Sequence, residues 1–162
     1  MFSSFLMGLV GGQRAITPLA AVAVAAATDR LPAENGPPHI LSHPAVAAGA
    51  VALAVAEMAG DKQKSAPNRI APAGVAVRFV TSAVAGASLS PRPQRCTGAA
   101  IGGATATVAS YLGWRIRLKA ASRGSRTSAG FLEDAVVLAC AAAIVCHARP
   151  EADPNPGSSS RP

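Results

Sequence analysis

Aromatic and charged residues are both scarce in this chain. Aromatic side chains make up 4% of the 162 residues and charged side chains 14%, whereas a typical soluble domain is about 25% charged. Half of the chain is apolar, but most of those residues are alanine and valine. Such small side chains bury little area each in a water-excluding core, and they instead allow helices to approach closely in lipid. The composition favours an integral membrane protein built of helices.

Motifs of the common enzyme classes are also absent from the sequence. It contains no P-loop, no GxGxxG in a strand–helix setting, no GxSxG and no HExxH. The three cysteines, Cys96, Cys140 and Cys146, form no CxxC pair, which favours small apolar residues over a disulfide framework. We therefore expect neither an enzyme nor a bound cofactor.

The positive charge of the chain predicts a lipid partner. The net charge is +7, but the basic residues stand between apolar runs with little aromatic interleaving, which disfavours nucleic acid. Arginine and lysine beside apolar segments are typical of contacts with lipid head groups. We therefore expect a lipid bilayer, and no nucleic acid, as the partner.

Five apolar runs predict an all-α bundle of about five transmembrane helices, forming a single domain over residues 1–148. A bilayer crossing needs about 20 residues, and each run comes near that length. The Pro- and Ser-rich segment 149–162 predicts a disordered polar tail. The runs are Met1–Thr28, Pro44–Gly60, Ile70–Leu89, Thr97–Trp114 and Ala129–Ala148.

Arg14 interrupts the first apolar run. Gly11, Gly12 and Pro18 stand on either side of it. Glycine and proline next to a charged residue indicate a helix that is kinked, locally unwound or re-entrant at that point.

Several charged residues lie inside the apolar runs, and we expect them to form one buried polar network. An ionisable side chain at the centre of a membrane helix costs about 2.5–3.5 kcal/mol, so charges of opposite sign should meet. On this interpretation the acids pair with Arg14 and Arg78 inside the bundle, with Lys62 and Arg69 at its edge. The acidic residues of this network are Glu57, Glu133 and Asp134 within the runs and Asp61 at the edge.

Glu57 and Asp61 are the leading candidates for binding an ion. In a helix they would share one face, because they stand four residues apart. Two carboxylates placed in this way could hold a hard divalent cation or share a proton. Glu133 or Asp134 could complete such a site from another helix. Adjacent helical residues point about 100° apart, so only one of the two should face the interior, and Asp134 is preferred.

A transition-metal site at His39 and His43 is the weaker alternative. Their spacing of four would suit a metal on a helix, but the surrounding Pro37-Pro38 and Pro44 predict a solvated loop.

Small residues at intervals of four predict close helix packing. Ser82 and Gly86 form one such pair, and Gly98, Gly102 and Ala106 form a longer ridge. Ridges of this kind pack helices within one chain or bind a partner, and a composition rich in glycine and alanine also produces them by chance.

A set of short elements recurs in order along nearly the whole chain, short of the tail: Gly12-x-Arg14, Thr17-Pro18, Glu57…Asp61-Lys62, Pro67-x-Arg69, Arg78, Gly86 and Glu133-Asp134-Ala135. With these elements the chain resembles the small bacterial membrane proteins grouped as domain-of-unknown-function family 4126. The resemblance implies an integral membrane helical protein with no assigned activity.

We expect the protein to lie in the bacterial inner membrane. The excess of Lys and Arg in the second and fourth loops favours, by the positive-inside rule, a cytoplasmic N-terminus and a cytoplasmic 57–69 segment.

The stretch Glu57-Met-Ala-Gly-Asp61-Lys62 is also similar to the Glu-x-Gly-Asp-Lys-Thr signature of calcium/manganese–proton exchangers. That resemblance implies that Glu57 and Asp61 are cation ligands. The chain departs from the signature by one extra residue before the glycine, by Gln63 in place of threonine, and by carrying a single copy.

Two functions fit these residues. One is a small cation or proton transporter that uses the buried acids, and a chain of this length would then need to oligomerise. The alternative is a non-transporting membrane scaffold or accessory subunit, in which the charges only fix helix packing and the small-residue ridges bind a partner membrane protein.

Overall fold

The computed structural model describes residues 1–32, 34–60, 72–120 and 126–148, with side chains for all of these except 117–120 and 126–133. Within those ranges the chain is helical and contains no β-strand, which confirms the all-α class. The predicted tail, 149–162, lies outside the described residues. Six α-helices run in the order α1 (Phe2–Gln13), α2 (Thr17–Ala27), α3 (Pro44–Gly60), α4 (Pro72–Ser88), α5 (Arg95–Ala120) and α6 (Arg126–His147). Short 3-10 turns, His39–Ser42 and Arg92–Gln94, precede α3 and α5.

The apolar runs predicted most helix positions well. Helix α3 has the bounds of the second run, because Pro44 suits the first turn of a helix. The first run forms two helices, α1 and α2, rather than one. Helix α5 continues to Ala120, beyond the end of the fourth run at Trp114, because arginine, leucine and lysine are good helix formers.

Among the described residues, no helix is both long enough and apolar enough to cross a membrane. The expectation of about five spanning helices is therefore unsupported. The break at Arg14 leaves helices of 12 and 11 residues, and α3 and α4 contain 17 residues each.

Helices α1, α4 and α5 pack together with their backbones almost in contact. A Cβ atom on Gly86 of α4 would overlap the carbonyl oxygen of Gly98 of α5, and one on Gly102 would overlap the carbonyl oxygen of Ser82. On α1, a Cβ atom on Gly8 would lie 2.7 Å from the Gly102 carbonyl oxygen. The two small-residue ridges therefore face each other, and only glycine fits where they meet.

Buried hydroxyls complete the same interface. The Ser4 hydroxyl of α1 donates a hydrogen bond to the Gly86 carbonyl oxygen at 3.0 Å, and the Ser90 hydroxyl donates to that oxygen at 2.9 Å. Both serines are fully buried. Polar atoms therefore lie at the centre of this packing.

Many large apolar side chains are exposed on the outside of the molecule. Phe2 is 72% exposed, Ile40 67% and Leu53 60%. Among the described residues, eleven buried ones are polar or charged, Arg14, Arg78 and Asp134 among them, and they share the interior with a core of apolar side chains. Buried charges and an apolar surface together are unusual for a protein in water.

The contact between Gly86 and α5 gives the first prediction. Gly86→Ala should lower the free energy of unfolding by about 1–3 kcal/mol, because the added methyl group forces the two backbones apart. Gly49→Ala is the matched control, since a Cβ atom at Gly49 on exposed α3 meets nothing within 4 Å. That change should raise stability by about 0.5–1 kcal/mol. Thermal unfolding followed by circular dichroism measures both, and equal effects would contradict the packing.

Candidate functional site

The break between α1 and α2 is the centre of the candidate site. Helix α1 ends at Gln13, and Arg14 is extended at φ −134° and ψ 120°. Pro18 has no N–H to donate to the carbonyl of residue 14, and its ring would clash with that carbonyl in a continuous helix. The helix therefore stops and restarts at Thr17, with Pro18 in its first turn. This confirms the local unwinding predicted around Arg14.

Glu57 binds the free backbone groups at the break. One carboxylate oxygen accepts the N–H of Ala15 at 2.7 Å, and the other accepts the N–H of Ile16 at 2.9 Å. These donors precede α2, where the positive end of the helix dipole favours a negative charge. Hydrogen bonds of N–H groups to a carboxylate are about twice as strong as neutral ones. Glu57 of α3 thus acts as the cap of another helix.

Hydroxyl groups from α4 and α5 bind the carbonyl oxygens near the break. The Thr81 hydroxyl donates to the Ala15 oxygen at 2.6 Å, and the Ser110 hydroxyl approaches the Gly12 oxygen at 3.3 Å. A helix end away from water needs such partners, because unpaired carbonyl groups are costly. Three neighbouring helices, α3, α4 and α5, therefore stabilise the interruption.

Arg14 joins the break to α6 through an ion pair with Asp134. The two side chains are only 4% and 9% exposed. A buried guanidinium needs a charge partner, and Asp134 provides it from a helix more than a hundred residues further along the chain. The structure thus places the preferred acid, Asp134, against one of the two predicted arginines.

Arg78 is buried on α4, one turn before Thr81. Because Thr81 contacts Ala15 at the break, Arg78 belongs to the same part of the interior. The burial of Arg78 agrees with the prediction that a second arginine lies inside the protein. An acidic partner for Arg78 stays a prediction.

Several predicted site residues cannot be placed. Asp61, Lys62 and Arg69 lie outside the described residues, and so does the side chain of Glu133. The paired-carboxylate site of Glu57 and Asp61 therefore stays a prediction. In the part of the chain that is described, no group of three His, Cys, Asp or Glu residues could hold a metal ion.

The two histidines have local surroundings that do not suit the metal alternative. His39 begins a 3-10 turn, His39–Ser42, and His43 follows its end, so the two do not stand on one face of an α-helix. His43 Nδ1 accepts the N–H of Ala45 at 3.2 Å, so this ring caps the start of α3.

Sequence reasoning missed Thr81 and Ser110 because polar residues within apolar runs were weighed only when they were charged. A hydroxyl in a run of alanine and valine is itself a signal, since it needs a partner once buried. The partner of Glu57 was missed for a different reason. Backbone N–H groups carry no sequence signature, and they became available only because the helix breaks.

A cavity of about 310 Å³ lies near the break, between α2, α3 and α6. Its walls are almost entirely apolar, and neither Glu57 nor Asp134 is among the residues that line it. Thr17 does line it and is 2% exposed, yet its hydroxyl has no hydrogen-bond partner within the described ranges.

Comparison with protein-family models, with curated proteins and with solved structures finds no match to this chain. The resemblances to family 4126 and to the cation–proton exchangers therefore stay predictions.

Two threonines give opposite predictions for the same substitution. Thr81→Val should lower the free energy of unfolding by about 1–3 kcal/mol, because it leaves the Ala15 carbonyl without its donor. Thr17→Val should raise that free energy by about 1 kcal/mol, because it removes a buried hydroxyl that lacks a partner. Chemical denaturation of the two variants and wild type measures the difference. A loss for Thr17→Val as large as that for Thr81→Val would show that the Thr17 hydroxyl is satisfied.

Proposed function

We propose that this protein is a helical membrane protein that does not transport, acting as a scaffold or accessory subunit whose buried charges fix its packing. The observation that carries the proposal is the position of Glu57, whose two carboxylate oxygens both bind backbone N–H groups. A carboxylate used in this way has little capacity left for an ion.

The contacts of Asp134 support the same interpretation. Asp134 binds Arg14 in a buried ion pair, and the nearby cavity is lined by neither acid. Transport requires the acids to meet a path for the ion. Structural roles account for both acids, so transport is not needed to explain their positions.

The distribution of side chains supports a lipid environment. Many large apolar side chains are exposed while several charged side chains are buried, and lipid would cover that apolar exterior. We propose a multi-pass protein of the bacterial inner membrane, with a second copy or a partner membrane protein against its apolar faces. We propose for it no catalytic residue, no cofactor and no nucleic-acid partner.

Cation or proton transport is the second candidate, and one observation favours it. Transporters often use interrupted helices whose N-terminal half-helix ends point at anionic groups. Here the start of α2 faces the Glu57 carboxylate in the same manner. If Glu57 leaves this position, its carboxylate becomes free to bind a cation or a proton.

The buried ion pair provides a test by double substitution. Asp134→Asn should cost about 3–5 kcal/mol of unfolding free energy, because it leaves Arg14 buried beside a neutral group. Arg14→Met combined with Asp134→Leu should recover most of that loss, since an apolar pair needs no charge partner. Thermal unfolding in detergent measures both. If the double variant is as unstable as the single one, the pair does more than fix packing.

Glu57→Gln separates the two candidate functions. Under the scaffold proposal it should lower the free energy of unfolding by about 1–3 kcal/mol, because one backbone N–H loses its acceptor. Glu34→Gln is the control, since Glu34 is exposed and its change should stay within about 0.5 kcal/mol.

The same variants are then placed in liposomes loaded with pH-sensitive and calcium/manganese-sensitive dyes. The scaffold proposal expects no flux from folded wild-type protein under imposed gradients of protons, calcium or manganese. Flux from wild type and from Glu34→Gln, with none from a stable Glu57→Gln variant, would overturn it in favour of transport.

A further inference from the structure

The cavity between α2, α3 and α6, called the groove from here on, has the lining of a binding site. Its volume of about 310 Å³ is at the lower end of the range for small-molecule sites. Alanine and valine form most of its walls, as Ala20 and Ala21 do on α2 and Ala141 and Ala142 do on α6. A space of this volume suits a single hydrocarbon chain better than an α-helix about 10 Å across.

The groove opens onto apolar surface. Val24, Val51, Val55 and Leu138 line it and are themselves 40–60% exposed. A molecule that enters between these residues crosses no polar rim. Entry from a surrounding lipid phase is therefore easier than entry from water, which would have to wet this apolar edge.

Arg30 stands at one end of the groove. Its backbone N–H donates to the Ala25 carbonyl at 2.8 Å just after α2 ends, and its side chain is exposed and lines the cavity. No acidic side chain in the described ranges forms an ion pair with it. A guanidinium with this freedom binds phosphate well, because its donors match the geometry of the phosphate oxygens.

We propose that this groove holds one acyl chain of an anionic phospholipid, with the phosphate bound at Arg30. The apolar walls fit the chain, the apolar rim fits lateral entry from the membrane, and the arginine fits the head group. The proposal rests on the membrane setting proposed above. Because neither Glu57 nor Asp134 lines the groove, it does not depend on whether these acids fix packing or transport an ion.

Native mass spectrometry of the full-length protein tests the proposal. The protein is purified in a non-ionic detergent and mixed with equal amounts of dioleoylphosphatidylglycerol and dioleoylphosphatidylcholine. We expect one phosphatidylglycerol molecule to be retained per chain, about fivefold above phosphatidylcholine, as one arginine near an anionic head group would give. Arg30→Ala should bring that ratio to about one, whereas Arg115→Ala, which changes an exposed arginine outside the groove, should leave it unchanged.

Blocking the groove provides the second test. Ala142→Phe places a large ring among the lining residues and should reduce the retained lipid of both kinds about fivefold or more, since the chain and the ring compete for one volume. Ala143→Phe is the matched control, because Ala143 is exposed on the same helix but does not line the groove. Circular dichroism shows whether both variants fold.

Three results would overturn the proposal. One is equal retention of the two phospholipids by wild type. Another is unchanged lipid retention in folded Ala142→Phe. The third is preferential retention of oleate when this free fatty acid is added at the same concentration, which would assign the groove to a single-chain amphiphile. If Ala142→Phe does not fold, the comparison of Arg30→Ala with Arg115→Ala decides.

Discussion

The two hydrogen bonds from the Ala15 and Ile16 N–H groups to Glu57 are the contact on which the rest of the structure depends. Pro18 forces the chain to leave the helical path after Gln13, which exposes donors in a region with little water. A carboxylate from α3 neutralises these donors and the positive end of α2 together. Arg14 is then extended and reaches Asp134 on α6. The break therefore determines which helices can meet.

Much of the fold could be predicted from the sequence, whereas the partners within the site could not. Pro44 and Gly60 bound an apolar run, and α3 has those limits because proline and glycine act locally. The break at Arg14 was predictable for the same reason. The contacts of Glu57 were not, because its partners are backbone atoms that become free only at the break. The motif similar to that of the exchangers predicted Glu57 as a cation ligand. In the structure its carboxylate accepts the N–H groups of Ala15 and Ile16.

The charge network also explains why polar residues are needed inside a chain this rich in alanine. Small side chains make many similar packings possible, so apolar contacts alone select weakly among helix registers. A buried ion pair and a carboxylate cap disfavour other registers, because a shifted helix would leave a buried charge without its partner. Thr81 and Ser110 extend this selection to α4 and α5, because each hydroxyl binds a carbonyl near the break.

Small residues produce close packing in one part of the molecule and a cavity in another. Between α1, α4 and α5, glycines such as Gly86 and Gly102 face each other, so the backbones touch and no space remains. Between α2, α3 and α6, most of the facing residues are alanine and valine, whose Cβ atoms hold the helices apart without filling the gap. Packing interactions are lost wherever a gap has no partner atoms. An apolar chain from outside would restore them there, whereas the glycine-lined interface has no room for one.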